Sequence, residues 1–169
     1  MEHGENAGWG RISRAGRKVN ELTIIEFPDG TKVRAASLRE RREHDSWRDF
    51  GLYLDSGWRP SWSSVLIPWV DFGLPESPPD AVDQICAAFK RAKTGQHIEV
   101  GCKCGLGRTG TVLACMAVLA GVPSQKAVLW IREHYDKHAV ETPDQEEWVN
   151  WFAQQITLRS DLTEGKAHD

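Results

Sequence analysis

The stretch from Ile98 to Ala120 constrains this chain more than any other. A short apolar run, Ile98-Glu99-Val100, leads directly into Gly101-Cys102-Lys103-Cys104-Gly105-Leu106-Gly107-Arg108. Thr109 to Ala120 then follows, apolar on nearly every side. The pattern predicts a strand, a tight loop and a helix that must lie in the middle of a fold, because no face of it is suited to water. A loop between a strand and a helix N-terminus is an anion site by construction. Its successive backbone N–H groups point inward and the helix dipole adds partial positive charge. Gly105 and Gly107 permit the backbone angles of such a loop.

Two side chains give the loop a chemistry. Arg108, at its far end, can fork onto two oxygens of a phosphate. Cys102, at its mouth, shares the field of the N–H groups and the guanidinium, which lowers a thiol from ~8.5 toward ~4–7. A thiolate beside a bound phosphoryl group is placed for in-line attack. The bland alternative makes Cys102 a core cysteine and the glycines a plain strand-to-helix turn.

The rest of the chain predicts an α/β domain: a central mixed sheet of four to five strands flanked by helices, most of them in the C-terminal half. Leu22 to Phe27 and Lys32 to Ala36 read as a hairpin across Pro28-Asp29-Gly30-Thr31. Gly51 to Asp55 and Ser64 to Pro68 are two further strand-length runs, joined by a loop through Trp58 and Trp62. Pro78 opens a helix with an apolar stripe at Ala81, Val82, Ile85, Ala88 and Phe89, ended at Gly95. Gly121 and Pro123 stop the central helix. Ser124 is expected to cap the next one, which carries Ala127, Val128, Ile131 and Tyr135. Thr142, Pro143 and Gln145 form a capping signature for a last helix.

The chain has 169 residues, about the length of one domain. The expectation is a single domain over residues 1–169, with flexible ends at 1–8 and 163–169. No apolar run approaches a membrane span, and the polar N-terminus predicts a cytoplasmic protein. In that setting Cys86, Cys102, Cys104 and Cys115 are expected to be thiols. A net charge of -3 does not mark a nucleic-acid binder. The region holding Arg11, Arg14, Arg17, Lys18, Arg39, Arg41 and Arg42 is locally basic: a solvated face, or a patch attracting an anionic substrate.

Val100 to Gly110, with Cys-x5-Arg and Gly-Arg-Thr-Gly inside it, resembles the signature loop of the protein tyrosine phosphatase superfamily, including its dual-specificity branch. The resemblance implies an α/β fold of that type and hydrolysis of phosphomonoesters through a phosphocysteine, without a metal or other cofactor. It implies Cys102 as nucleophile and Arg108 as phosphate clamp, with Lys103, Cys104, Gly105, Leu106 and Gly107 in the phosphate-binding loop. Thr109 is then expected to donate a hydroxyl hydrogen bond to the Cys102 sulfur. Trp69-Val-Asp-Phe-Gly-Leu-Pro75 resembles the family's acid loop, and Asp71 lies 31 residues before Cys102. That interval leaves room for one helix and one strand, and Asp71 is expected to protonate the leaving group. The alternative is that Asp71 only occupies a turn. Val140 to Trp148 resembles the water-positioning segment. Gln145 matches its second glutamine, and the same residue also fits the capping box. Glu141 stands in place of the first glutamine.

Three departures stand out. Gly101 replaces the histidine usual before the nucleophile, which predicts a less acidic thiol or a different bracing partner. Val70 replaces a proline in the acid loop. Cys104 lies two residues from the nucleophile and is a candidate resolving thiol, although a Cys-x-Cys bridge would be strained. Cys86 and Cys115 are expected to be core residues. Trp58, Trp62 and Trp69 either stack a substrate phenyl ring or pack the core. The expected substrate is a phosphorylated protein, most simply phosphotyrosine, acted on by a monomer. Alternatives are a phosphate-binding pseudoenzyme, or the same chemistry on a phosphoinositide or an RNA 5′ phosphate. Lys103 and the basic segment are the features that favour the latter pair.

Overall fold

The computed structural model describes residues 23–40 and 46–166. The elements run β1 (Thr23–Glu26), β2 (Lys32–Ser37), β3 (Phe50–Tyr53), β4 (Ser64–Leu66), α1 (Pro78–Lys93), β5 (Ile98–Cys102), α2 (Gly107–Leu119), α3 (Ser124–His134) and α4 (Pro143–Gly165). A single-turn 3-10 helix follows β2 at Leu38–Glu40. The five strands form one sheet in the order β1-β2-β5-β3-β4. β1 is antiparallel to β2, and the remaining pairs are parallel. The mixed α/β architecture expected from the sequence is therefore the observed one.

The central position of α2 follows from its lack of a polar face. Every residue from Gly107 to Ala117 is buried, and the helix packs against α1, α3, α4 and β5. Fully buried side chains such as Leu113 and Ile131 each contribute roughly 1.5–3 kcal/mol to that core. Gly121 ends the run of packing with φ +101°. Its N–H donates to Val118 O at 3.0 Å, and that of Val122 donates to Ala117 O at 3.0 Å, the paired bonds of a Schellman stop. Gly30 and Gly95 also lie at positive φ, at the hairpin turn and after α1.

Two expectations change. Ser124 is the first helical residue of α3 rather than its cap. Pro123 holds the cap position, and no side chain accepts from the first turn. α4 continues to Gly165, beyond Thr163, where the sequence suggested a flexible end. The packed first half, with Trp148, Val149 and Phe152 buried, nucleates a helix whose extension costs little per residue. An Arg159–Asp83 pair at 2.7 Å ties that extension to α1. Residues 1–8 and 167–169 of the expected flexible ends lie outside the described residues, as do Arg11, Arg14, Arg17, Lys18, Arg41 and Arg42 of the basic region. Arg39 is described and exposed. No helix among the described residues is long and apolar enough to cross a membrane.

Candidate active site

Parallel strands leave an open crevice beyond their carboxyl ends, and here β2, β3 and β5 end together. Ser37 and Tyr53 are in register with Cys102 and Gly101 respectively. Cys102 is 2 % exposed. Its Sγ accepts the Gly105 N–H at 3.2 Å, so the loop closes around the sulfur. Gly105 makes that bond at φ +76°, an angle that favours glycine. Its own carbonyl accepts the Tyr135 hydroxyl from the end of α3. Ser37 Oγ and the Arg39 N–H hold Lys103 O at 3.1 and 3.3 Å. Lys103 is exposed and Cys104 half-buried. Burial pushes the Cys104 thiol up, and Cys102, Asp71 and Glu141 push the same way, against Arg39. Cys86 and Cys115 lie on helices, and burial raises both thiols.

Arg108 is 3 % exposed and joins three parts of the site. Its Nη1 donates to Leu54 O at 2.8 Å and to Trp69 O at 2.9 Å. Its Nη2 lies 3.0 Å from Asp55 Oδ2 and 3.4 Å from Asp71 Oδ1. The buried Nε–H has no protein partner, so it keeps hydrogen-bonding capacity for an oxyanion. Asp55 was not singled out in the sequence. It ends the β3 run at the carboxyl edge of a parallel sheet, and that position is the signal that could have marked it. Burial pushes its carboxyl up, but the Gly57 N–H, the Arg108 bond and charge, and Lys103 outweigh this and hold it below the usual range. The Thr109 hydroxyl is buried and makes no hydrogen bond within the protein, so the expected bond to the Cys102 sulfur is not formed in this arrangement.

Gly101 has a structural explanation. A Cβ there would stand 2.8 Å from Trp58 Cζ2 and 3.3 Å from Ala36 O. The Trp58 ring fills the space over the glycine and donates to Cys102 O at 3.4 Å. It stacks on Tyr53 at 4.1 Å between centroids. The Tyr53 ring lies back over Gly51, where a Cβ would come within 2.3 Å of it. The Tyr53 hydroxyl donates to Glu99 Oε1 at 2.8 Å, and Trp62 Nε1 donates to that hydroxyl at 2.8 Å. Burial, then the Glu99 charge and bond, push the tyrosine far above its ordinary range, against Trp62 and Arg48. Glu99 is itself buried between Arg34 and Arg48, with Nε–O distances of 2.7 and 3.0 Å. An aromatic and ionic stack thus braces the strand where a histidine was expected. Trp58 and Trp69 are core residues, each 5 % exposed, which resolves their two readings toward packing.

The Trp69–Pro75 segment forms a small closed loop. Trp69 and Pro75 bridge each other, and Gly73 N–H donates to Val70 O at 2.9 Å. Gly73 O accepts Trp69 Nε1 at 2.7 Å and Gln145 Nε2 at 3.2 Å. Asp71 Oδ1 accepts the N–H of Phe72 at 3.1 Å, and the side chain is 49 % exposed. Val70 and Phe72 flank it with 62 % and 60 % exposure. Gln145 is fully buried. Thr142 Oγ1 accepts its N–H at 3.1 Å, so the expected cap is present. Its Oε1 accepts the Glu141 N–H at 2.9 Å. The amide expected to orient a water therefore has its carbonyl and one N–H engaged, joining the acid loop to the Glu141 segment. Arg108 thus links the start of α2 to Asp71, and Gln145, at the start of α4, links the 69–75 segment to Glu141.

Such an arrangement holds a buried sulfur within a closed loop, with an arginine that pairs with the carboxyl of the 69–75 segment. The family model described as Swiss Army Knife protein, DSP-PTPase phosphatase domain (PTP-SAK), matches residues 55–154. Two uncharacterized proteins of Methanocaldococcus jannaschii are 36% and 35% identical over 109 residues. Each alignment covers 58% of this chain, and they cover 71% and 66% of those proteins. The fold is similar to that of Tk-PTP in its active form (TM-score 0.63, 22% identity, 78% of this chain and 97% of that one). It is also similar to kinase associated phosphatase with its catalytic-site cysteine changed to serine (TM-score 0.68, 14% identity, 81% and 96%). PTPMT1 in complex with PI(5)P has the same fold (TM-score 0.63, 20% identity, 76% and 94%).

Proposed function

Since the chain belongs to the PTP-SAK family of DSP-PTPase phosphatase domains, we propose that it hydrolyses phosphomonoesters through a phosphocysteine on Cys102, without a metal. The observation that carries the reading is the closed loop itself: a buried sulfur bonded by the Gly105 N–H, beneath an arginine whose Nε has no protein partner. The loop N–H groups and the Nε–H of Arg108 hold the phosphoryl oxygens. Cys102 attacks phosphorus, and the ester oxygen departs with its bonding pair and a proton from Asp71. Thr109 provides a hydroxyl near the loop, with its hydrogen-bonding capacity free for the leaving sulfur of the second step. A water then displaces the phosphoryl group from sulfur. The family resemblance assigns Asp71 and Gln145 to that second step.

Phosphotyrosine in a protein is the substrate we favour. Exposed Val70 and Phe72 on either side of Asp71 give a phenyl leaving group apolar surface beside the proton donor. The second reading is a phosphoinositide. Exposed Lys103 and Arg39 put two cations beside the loop, and the structural neighbour PTPMT1 was captured with PI(5)P. We place the domain across residues 1–169 and expect it to act as a monomer.

Incubation with p-nitrophenyl phosphate in a chelator, beside Cys102→Ser, tests the chemistry. Turnover by the wild type that the serine variant lacks is the expected result. A wild type with no turnover would sink the enzyme reading, and an unaffected serine variant would sink the nucleophile. A phosphotyrosine peptide tested against phosphoserine peptide, phosphoinositide and 5′-phosphorylated RNA then ranks the substrates.

A further inference from the structure

The reading of this site as a cysteine phosphatase leaves one charged side chain in it without a task. Glu141 stands where the family resemblance expects a glutamine, and its carboxylate lies over the phosphate loop. A Cβ on Gly107 would be 2.6 Å from Glu141 Oε1 and 3.1 Å from its Cδ. The residue is exposed on its outer side, so water reaches it.

The backbone that carries Glu141 is held firmly. Val140, a β-branched residue, sits at φ +64°, a strained conformation that persists only when its surroundings impose it. Arg132 imposes it from α3: Nε donates to Ala139 O at 2.9 Å and Nη2 to Val140 O at 2.8 Å. Val140 N–H donates to Leu106 O at 3.2 Å, and Glu141 N–H donates to Gln145 Oε1 at 2.9 Å. This last bond also engages the carbonyl with which Gln145 would have accepted from a water. Strained backbone fixed from three sides, with an acidic side chain at its tip, is the usual form of a positioned catalytic group.

We propose that Glu141, in place of the Asp71 that the family resemblance assigns, is the base of the second half-reaction. Its carboxylate accepts a proton from the water as the water oxygen bonds to phosphorus. The S–P bond breaks, its electron pair returns to Cys102 as thiolate, and inorganic phosphate leaves. Gln145 then serves as a positioning residue that holds Glu141 and the acid loop together. The electrostatics agree with this division. Burial, and next the Asp71 charge, push Glu141 up against the Gly107 N–H and Arg108, which makes it a stronger base than an ordinary surface carboxylate.

The test is pre-steady-state kinetics of Glu141→Gln with p-nitrophenyl phosphate. The expected result is a burst of p-nitrophenolate equal to the enzyme concentration. The steady rate should then be about 100-fold lower, with kcat and KM falling together so that kcat/KM is kept. Acid quenching should trap phosphate on the protein. Glu141→Asp should recover part of kcat. A fall in kcat/KM without a burst would overturn the assignment, because Glu141 would then act before the phosphocysteine forms or only structurally. Unchanged kinetics beside an active wild type would overturn it as well. A wild type that neither turns over nor labels would instead overturn the phosphatase reading on which it rests.

Discussion

The floor and the wall of the site are built on different principles. The floor, Cys102 to Arg108, is one contiguous segment with its bracing underneath. Glu99, Arg34 and Arg48 form a buried charge cluster, and Tyr53 and Trp58 carry its rigidity to Gly101. None of these groups is exposed. The wall consists of two segments distant in sequence, 69–75 and 139–145. They meet the floor through Arg108, Glu141 and the Val140 N–H on Leu106 O, and Gln145 joins them at Gly73 O. Its apolar residues Val70 and Phe72 face outward. The floor is thus braced from below, whereas the wall is anchored by Trp69 and Val140 and carries its exposed residues, Val70 to Phe72, on a turn between Trp69 and Pro75. Arg108 is the group that belongs to both.

Removing that shared group should have the largest effect. Arg108→Lys replaces a planar fork by a point charge. It abolishes the simultaneous bonds to Leu54 O and Trp69 O and the unpartnered Nε–H. We expect kcat/KM for p-nitrophenyl phosphate to fall about 1,000-fold, the scale of losing a preorganised oxyanion donor. A loss under about tenfold would show that the loop N–H groups bind the phosphoryl group unaided.

The next effect is confined to the floor. Gly101→His restores the side chain the family resemblance expects, but its Cβ would collide with Trp58 and Ala36 O. Urea unfolding should show a loss of about 1–3 kcal/mol, the cost of overpacking a filled site. A neutral result would mean that Trp58 moves aside freely and does not brace the loop. Gln145→Ala perturbs the wall instead. It removes the donor to Gly73 O and the acceptor of Glu141 N–H, each lost bond costing about 1 kcal/mol. Because the acid loop is released, the rate should fall more for phenyl phosphate, whose leaving group needs the proton, than for p-nitrophenyl phosphate. Equal losses for the two esters would show that Gln145 does not act through Asp71.

The same contrast explains what could be read before the structure. A strand, a glycine loop and an all-apolar helix are local patterns, so Cys102, Arg108 and the elements around them follow from the sequence. Asp71 and the Thr142 cap are local too. Trp58 over Gly101 is a contact between residues 43 apart, and only the missing histidine signalled that something else filled that space. The second role of Gln145 crosses 72 residues to Gly73. Glu141 could be recognised as a substitution, but its carboxylate reaches Gly107 only because Val140 adopts a positive φ, which a β-branched residue does not advertise. Ser124 failed as a cap for the opposite reason: a local signal was overridden when Pro123 took the cap position.

The smallest effect concerns Asp55, where floor and wall share Arg108. Asp55→Asn keeps an acceptor for Gly57 N–H and for Arg108 but removes the charge. The side chain is 19 % exposed, so solvent screens the pair and the loss at neutral pH should be under about 1 kcal/mol. Its sign with pH is fixed by the direction of the shift. A carboxyl lowered in the folded state stabilises that state above its unfolded value, near 3.9 for aspartate, and loses the contribution as pH falls through the folded value. Urea unfolding of wild type and variant should therefore differ at pH 7 and converge in acid, below about pH 4. Curves that diverge further in acid would mean that Asp55 is not the carboxylate that balances Arg108, and that the burden falls on Asp71 in the wall.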